Sequence, residues 1–583
     1  MGARPWHYAL LLLIHIHFFE SGQKAAARDM LDVFYPWADA VRLSILKYHQ
    51  FPWWNPWAMS GQPLFADPAS VAVFMPDTLL VLAFGPVLGL KLAIIFYVLA
   101  GYEGSRVLCR HLFGRSPFVE AVSVIPIIIP ALALHFNEGH VIFVIFYLFP
   151  WLLLLALTWE RSALRSVAFG AVIGCYLISY IHYTVIMAFS IVGPVVLFRF
   201  RRFLTSRGAW TKAALVVCTA LGMSVMRLGV TLTVIAQFPR TDMSHYPIVA
   251  SISEVFGTLV EPFQDRNTAG NIAQLGWWEL GSYVGLPVLL LAYEGFRRDG
   301  RRLWSLYAGA ALCLFLAWNN RDKMFPSYWL HFIPPWKSML VITRWSLFAS
   351  FFLLLGAVHG LVAVRKAGHP RVAAALALLV VCDLGFHSYY AYRNTFAADP
   401  PPYSDMRGPP QTIYDSHEQA WAHERMNLVS MGAVCSLVGY GLHPPARQHL
   451  GSPGYAGDFV GTKPVAVESW SPNRFVLRAT PGDTVTLNIN PSSYWAMNGK
   501  QLFRTYRAFE IEKPFQVTVP ASGRMEFVAS DPNWKKFAAA QALCAALAVL
   551  LFVGLTKRAS MRSRAPKGPR TAPVRRAFFG LMV

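Results

Sequence analysis

Charge is what this chain has least of. Charged residues make up 14% of its 583 residues, where soluble proteins carry about 25%. Hydrophobic residues make up 55%, and the mean hydropathy is +0.39. A disordered chain is poor in apolar residues and rich in charge, so disorder is excluded. A soluble chain of this length would hold roughly four domains, and this composition argues against that arrangement. No repeat with a period of roughly 20–50 residues occurs, which excludes solenoids. Cysteine is sparse. Six of the seven (Cys109, Cys175, Cys218, Cys313, Cys382 and Cys544) fall in or beside apolar runs. Cys435 stands without a partner in a long polar segment, so no structural disulfide is expected there. There is no CxxC, no HExxH and no metal-finger spacing. The absence of a Walker loop argues against nucleotide hydrolysis as a driving reaction.

What the chain does have is long apolar runs. Stretches of about 17–25 apolar residues read as membrane helices. About twelve occur, near 6–20, 88–105, 118–135, 141–158, 166–181, 183–199, 213–236, 282–296, 303–319, 345–364, 372–392 and 536–556. The first also reads as a signal peptide, because Ala25-Ala26-Ala27 fits a small-x-small cleavage site. Either way the next loop lies outside the cytoplasm. Lys and Arg outnumber Asp and Glu by 52 to 31, a net charge of +21. Roughly half of the basic residues fall in short alternate connections: Arg106–Arg115, Arg161–Arg165, Arg199–Lys212, Arg297–Arg302 and Arg365–Arg371, with the tail after Lys557. That is the positive-inside pattern of a multi-pass protein with both termini in the cytoplasm of a plasma or inner membrane. The excess is therefore a topology signal, and no nucleic-acid partner is expected.

The expected fold class is mainly α, a polytopic membrane protein. Residues 1–392 form the membrane module, with outer loops at about 20–85 and 238–281. Residues 393–534 form an outer segment, 535–556 the last span, and 557–583 a basic cytoplasmic tail. In the first loop Trp37, Val41, Ile45 and Tyr48 share one helical face, expected to lie along the interface. The rings of Trp53, Trp54 and Trp57 suit the headgroup level. Residues 78–88 read as re-entrant or half a span. From Ala466 onward, alternating runs at 474–478, 484–488, 515–519 and 524–528 are separated by turn signals, and predict a small antiparallel β-sandwich.

Three stretches carry a family resemblance. The first is Asp29 … Tyr35-Pro36 … Pro52-Trp53-Trp54-Asn55-Pro56 … Gly61-Gln62-Pro63 … Asp67-Pro68 … Pro76. The second is Glu279-Leu280-Gly281-Ser282-Tyr283-Val284-Gly285-Leu286-Pro287. The third is Tyr494-Trp495-Ala496-Met497-Asn498-Gly499-Lys500. In this order and spacing they resemble the YfhO-like membrane proteins, grouped with the GT-C glycosyltransferases. The resemblance implies a GT-C-like membrane module that transfers sugar from a polyprenyl-phosphate-linked donor to an extracytoplasmic glycan, lipid or protein acceptor. It also implies that Asp29 is the catalytic aspartate of the first outer loop, with Asp32 an additional one. The chain departs from the family at Leu340-Val341-Ile342-Thr343-Arg344, where only Arg344 matches an R-x-P-x-R-like stretch.

The chemistry assigns roles to outer-side residues. The acceptor hydroxyl must lose a proton as it attacks, which suits a carboxylate base such as Asp29. The phosphate leaving group must meet cations, for which Arg240, His245, Lys337 and Arg344 are the candidates. Glu279, His140 and Asn55 are candidates for sugar contacts. Asp29 and Asp32 share a face if helical, which offers two hard oxygen donors to magnesium or manganese. Each residue has a plainer alternative. Asp29 would be a solvated loop carboxylate or a partner of Arg28, the arginines would snorkel to headgroups, and Asp383 inside its apolar run would pair with His387. A lipid-linked saccharide transporter and a non-catalytic envelope assembly factor remain as rival functions.

Overall fold

The computed structural model describes residues 4–26, 29–57, 61–68, 70, 76–179, 183–201, 207–237, 251–264, 276–318, 326–330, 332–333, 336, 339, 341–393, 395–398, 411–413, 428–430, 459–487, 489–490, 492–503 and 515–564. It is mainly helical. Among the described residues, six helical segments are long and apolar enough to cross a bilayer: Pro86–Phe113, Pro117–Asn137, Gly208–Val234, Ile342–Lys366, Pro370–Tyr392 and Trp534–Lys557. Shorter apolar helices occupy Pro5–Ile14, Val141–Ala156, Ala163–Ile178, Thr184–Phe198 and Trp304–Ala317. These features are consistent with a membrane protein.

The helix ends follow local chemistry. Helix Pro86–Phe113 opens with proline after Gly85, closes at Gly114 (φ +91°), and carries Arg110 and His111 in its last turn. That pattern complements the helix dipole at the C-terminus. Ser116 and Ser162 cap the next helices by accepting from the backbone N–H groups of Val119 and Arg165. The apolar run at 117–137 is not one straight helix. Pro126 and Pro130 lack the N–H a helix interior needs. The chain therefore passes from helix Pro117–Val122 through a 3₁₀ turn and extended Ile128–Ile129 into helix Pro130–Asn137. Ile342–Lys366 is the central span, with 89% of its apolar window buried, whereas that of Trp534–Lys557 is 0% buried and wholly peripheral. Helix Pro76–Phe84 folds back at Gly85, and a Cβ on Gly89 would lie 2.5 Å from the Val81 Cα.

Two antiparallel sheets form the C-terminal β region. Five strands run in the order Lys500–Gln501, Trp495–Met497, Arg524–Ala529, Arg474–Arg478, Ala466–Ser471. Three run in the order Phe515–Thr518, Thr484–Leu487, Phe459–Gly461. Alternate residues Val485 and Leu487, and Met525 and Phe527, are buried as the pleat requires, while Phe475, Val476 and Leu477 are buried in succession. Phe459 on one sheet meets Phe475 on the other, with ring centroids 4.9 Å apart.

Two expectations for the first loop are corrected. Residues Tyr35–Val41 are buried all round, Asp39 included, so this is a core helix and not an interfacial one. Its neighbours Met30–Phe34 and Leu43–Lys47 are π-helical. The tryptophans face protein, not headgroups. Trp54 is fully buried and meets Trp495 edge-on at 5.2 Å; Trp57 packs on Trp470 and Trp53 on Trp534. The Trp54 backbone N–H donates to Asn473 Oδ1 (3.0 Å), and Asn490 Nδ2 donates to the Gly61 carbonyl (2.8 Å). Gly61 itself sits at φ +98°, its Cα against the Trp54 indole. The first loop, itself closed by the ladder Trp54–Asn55 with Gln62–Pro63, is thus stapled to the β region some 400 residues later by these hydrogen bonds and ring contacts. Trp54→Ala is expected to cost about 3–5 kcal/mol, read as a lower unfolding midpoint. An unchanged midpoint would remove this contact from the fold's support.

Candidate functional site

The site begins at the end of helix Pro130–Asn137. The Glu138 N–H donates to the Leu134 carbonyl, Gly139 takes φ +84°, and the His140 N–H returns to the His135 carbonyl at 2.9 Å. This left-handed turn is a helix C-terminal motif that glycine adopts without strain. It brings two imidazoles together, His135 Nδ1 and His140 Nδ1 being 3.0 Å apart. His135 stacks on Phe143, with centroids 4.0 Å apart and planes 17° apart.

Asp29 reaches the same turn from the first loop. One Asp29 carboxylate oxygen lies 3.4 Å from His140 Nε2. The approach depends on Gly139, since a Cβ there would stand 2.1 Å from the Met30 nitrogen and 3.0 Å from the Asp29 carbonyl carbon. Gly139→Ala combines a disfavoured φ with overpacking, and at least about 2 kcal/mol of destabilisation is expected. Displacement of Asp29 should accompany it. A variant of unchanged stability in a denaturant titration would contradict the close approach.

Behind His140 stands a buried ion pair. Arg344 Nε donates to Glu279 Oε2 (2.7 Å) and Arg344 Nη2 to Glu279 Oε1 (2.5 Å), a bidentate fork. His140 Nε2 is 4.0 Å from Glu279 Oε1. Thr343 Oγ1 donates to the Glu279 carbonyl (3.0 Å), and the Arg344 guanidinium lies over the Phe143 ring at 5.1 Å. Glu279 sits on the short helix Trp277–Leu280, and Arg344 ends the 3₁₀ turn before the central span. Burial works to raise the Glu279 pKa. The Arg344 charge, with the Arg344 hydrogen bonds, outweighs it and holds the carboxyl below its ordinary range.

Side-chain exposure falls along this row, from 46% at Asp29 to 12% at His140 and 8% at Glu279. Asp29 therefore meets solvent or ligand while the rest supports it. The tautomers that satisfy both imidazole contacts place a proton on His135 Nδ1, donated to His140 Nδ1, and one on His140 Nε2, facing Asp29. That arrangement leaves the second Asp29 oxygen available to accept a proton.

The other expected residues fall elsewhere. Arg240, His245 and Lys337 lie outside the described residues. Asp32 belongs to the π-helical stretch Met30–Phe34, and its side chain is outside the described atoms. Asn55 is fully buried in the first-loop turn, where Oδ1 accepts from the Trp57 N–H (3.0 Å), a structural task. Asp383 pairs with His387 (3.6 Å) and accepts from the Tyr283 hydroxyl (3.0 Å), the plain structural reading. Cys435 is outside the described residues.

Three residues of the site escape sequence reasoning. His135 is hidden in an apolar run, Phe143 resembles any core aromatic, and Gly139 carries no side chain to single out. The signal for them is the pair of histidines five apart across a glycine. As for a metal, no group of three or more His, Cys, Asp or Glu suited to one occurs among the described residues. At this site Asp29 is an exposed carboxylate beside an imidazole and Glu279 is held by Arg344, while the Asp32 side chain lies outside the described atoms. No family model matches the chain, and no curated protein or solved structure does either.

Proposed function

We propose that this chain is a membrane glycosyltransferase of the GT-C class, similar to the YfhO-like proteins. It transfers a sugar from a polyprenyl-phosphate donor to a hydroxyl of an extracytoplasmic glycan, lipid or protein. The observation that carries the reading is the half-exposed Asp29 carboxylate beside His140, backed by the buried Glu279–Arg344 pair. In the proposed topology the six long helices, the five shorter apolar ones and Leu286–Asp299 make twelve crossings of a plasma or inner membrane. Residues 393–534 are outside, and both termini are cytoplasmic.

The acceptor hydroxyl gives its proton to Asp29 as its oxygen bonds to the anomeric carbon. The bond from that carbon to the phosphate oxygen breaks, and the phosphate leaves with the electron pair. His140 orients the Asp29 carboxylate through Nε2. Glu279 and Arg344 hold His140 from behind. The Nε–Nη2 edge of Arg344 holds Glu279, which supports a positioning role for Arg344. Arg240, His245 and Lys337 remain the proposed cations for the leaving phosphate.

The test uses the purified chain in vesicles with a labelled polyprenyl-phosphate sugar and a hydroxyl acceptor. Label is expected on the acceptor, with free polyprenyl phosphate formed in equal amount. Label that crosses the vesicle intact would support a transporter instead.

A further inference from the structure

A second site lies at the other end of helix Pro86–Phe113. Near its start, Lys91 Nζ donates to Ser21 Oγ (2.7 Å) and to the Gly22 carbonyl (2.9 Å), beside the segment that leads to Asp29. The 28 residues of this helix span about 42 Å at 1.5 Å each. At its far end a cavity of about 480 Å³ opens, lined by Arg110, His111, Arg115, Arg161 and Arg165. This is the end that the positive-inside rule assigns to the cytoplasm.

The charges differ in availability. The Arg110 guanidinium pairs with Glu120, which Arg106 also approaches while holding Glu103. Arg115, Arg161 and Arg165 are exposed, and no carboxylate pairs with them among the described residues. They come from two different connections, one after Gly114 and one on either side of the Ser162 cap. Trp151, Leu154 and Leu155 give the same lining an apolar part. Trp151 is fixed by donating to the Ala100 carbonyl (2.8 Å). Leu164, between Arg161 and Arg165, is 68% exposed, as a lipid-facing residue would be. A topology signal alone accounts for basic loops. It does not account for three unpaired guanidinium groups from two loops converging on one cavity with a greasy wall.

We propose that this cavity binds the phosphate headgroup of an anionic phospholipid. Arg115, Arg161 and Arg165 take the phosphate oxygens, for which the guanidinium fork is suited. The first methylenes of an acyl chain run along Trp151, Leu154 and Leu155. Juxtamembrane arginines attract anionic lipid, and three together should give a preference of at least about tenfold. The site is independent of the chemistry proposed at Asp29.

Native mass spectrometry of the full chain in neutral detergent tests this, with phosphatidylglycerol and phosphatidylcholine added in turn. Wild type is expected to retain phosphatidylglycerol at least about tenfold better. The triple variant R115Q/R161Q/R165Q should lose that preference, and R161Q alone should reduce it several-fold. Removing three basic residues elsewhere at the same end, R297Q/R301Q/R302Q, should leave it intact. Equal losses in both triple variants would reduce the effect to net charge and overturn the site. Full displacement of the lipid by millimolar pyrophosphate would assign the cavity to a soluble anion and overturn the lipid assignment.

Discussion

Arg344→Met is expected to destabilise the protein by about 3–5 kcal/mol, because it leaves a buried carboxylate without its partner. Glu279 would keep only His140, 4.0 Å away and itself shared with Asp29. The double variant Arg344→Met/Glu279→Gln should recover most of the loss, since a buried neutral pair costs far less than a lone buried charge. A double-mutant cycle in denaturant titrations measures the difference. A single variant within about 1 kcal/mol of wild type would show that the pair carries no such weight. The same pair sets a pH dependence. Glu279 binds its proton less readily when folded than when unfolded. Its contribution is therefore complete above the unfolded carboxyl pKa of about 4.3 and is lost as pH falls through the lower folded value. In Arg344→Met burial acts on Glu279 without the guanidinium and raises its pKa, so the destabilisation should be greatest near neutral pH and should shrink as pH falls and the carboxyl takes up a proton.

Parts of this structure were legible in the residues. The long spans stand out because a run of some twenty apolar residues has few alternatives. The strands at Arg474–Arg478, Thr484–Leu487, Phe515–Thr518 and Arg524–Ala529 announce themselves by alternation and by Pro-Gly, Asn-Gly and Ser-Gly turns. The first loop was less legible. Tryptophan suits both a headgroup belt and a protein core, and only the partners decide. Those partners, Asn473, Trp470 and Trp495, are more than 400 residues away from Trp54 and Trp57 in all. The helix at Tyr35–Val41 has a polar side in sequence, yet Asp39 on that side is buried.

The site was half legible. Asp29, His140, Glu279 and Arg344 were all singled out, from 29 to 344 along the chain. Their joining into one row was not, because it depends on the turn at Gly139 and on a 65-residue separation between Glu279 and Arg344. An outer-side arginine opposes the positive-inside bias and invites a functional reading. For Arg344 the partner turned out to be protein, the Glu279 carboxylate.

Asp29→Asn is expected to leave folding intact and to lower sugar transfer by about 10²–10⁴-fold, the range for a general base. Asparagine keeps the shape and a contact to His140, but its amide accepts no proton at neutral pH. Asp29 is about half exposed, so the substitution removes no buried charge pair. His140→Gln should lower the rate less, and should shift the pH dependence of transfer, because it orients Asp29 without meeting the substrate. Asp29→Glu, longer by one methylene, should restore part of the rate.

The most direct measurement is therefore the release of polyprenyl phosphate by wild type and Asp29→Asn, in the same nanodiscs and with matched unfolding midpoints. One polyprenyl phosphate per sugar transferred by wild type, with loss of at least about 10²-fold in the variant, is the expected result. Donor left intact by wild type, or cleaved equally by both proteins, would contradict the assignment of Asp29 and His140 as the reacting centre.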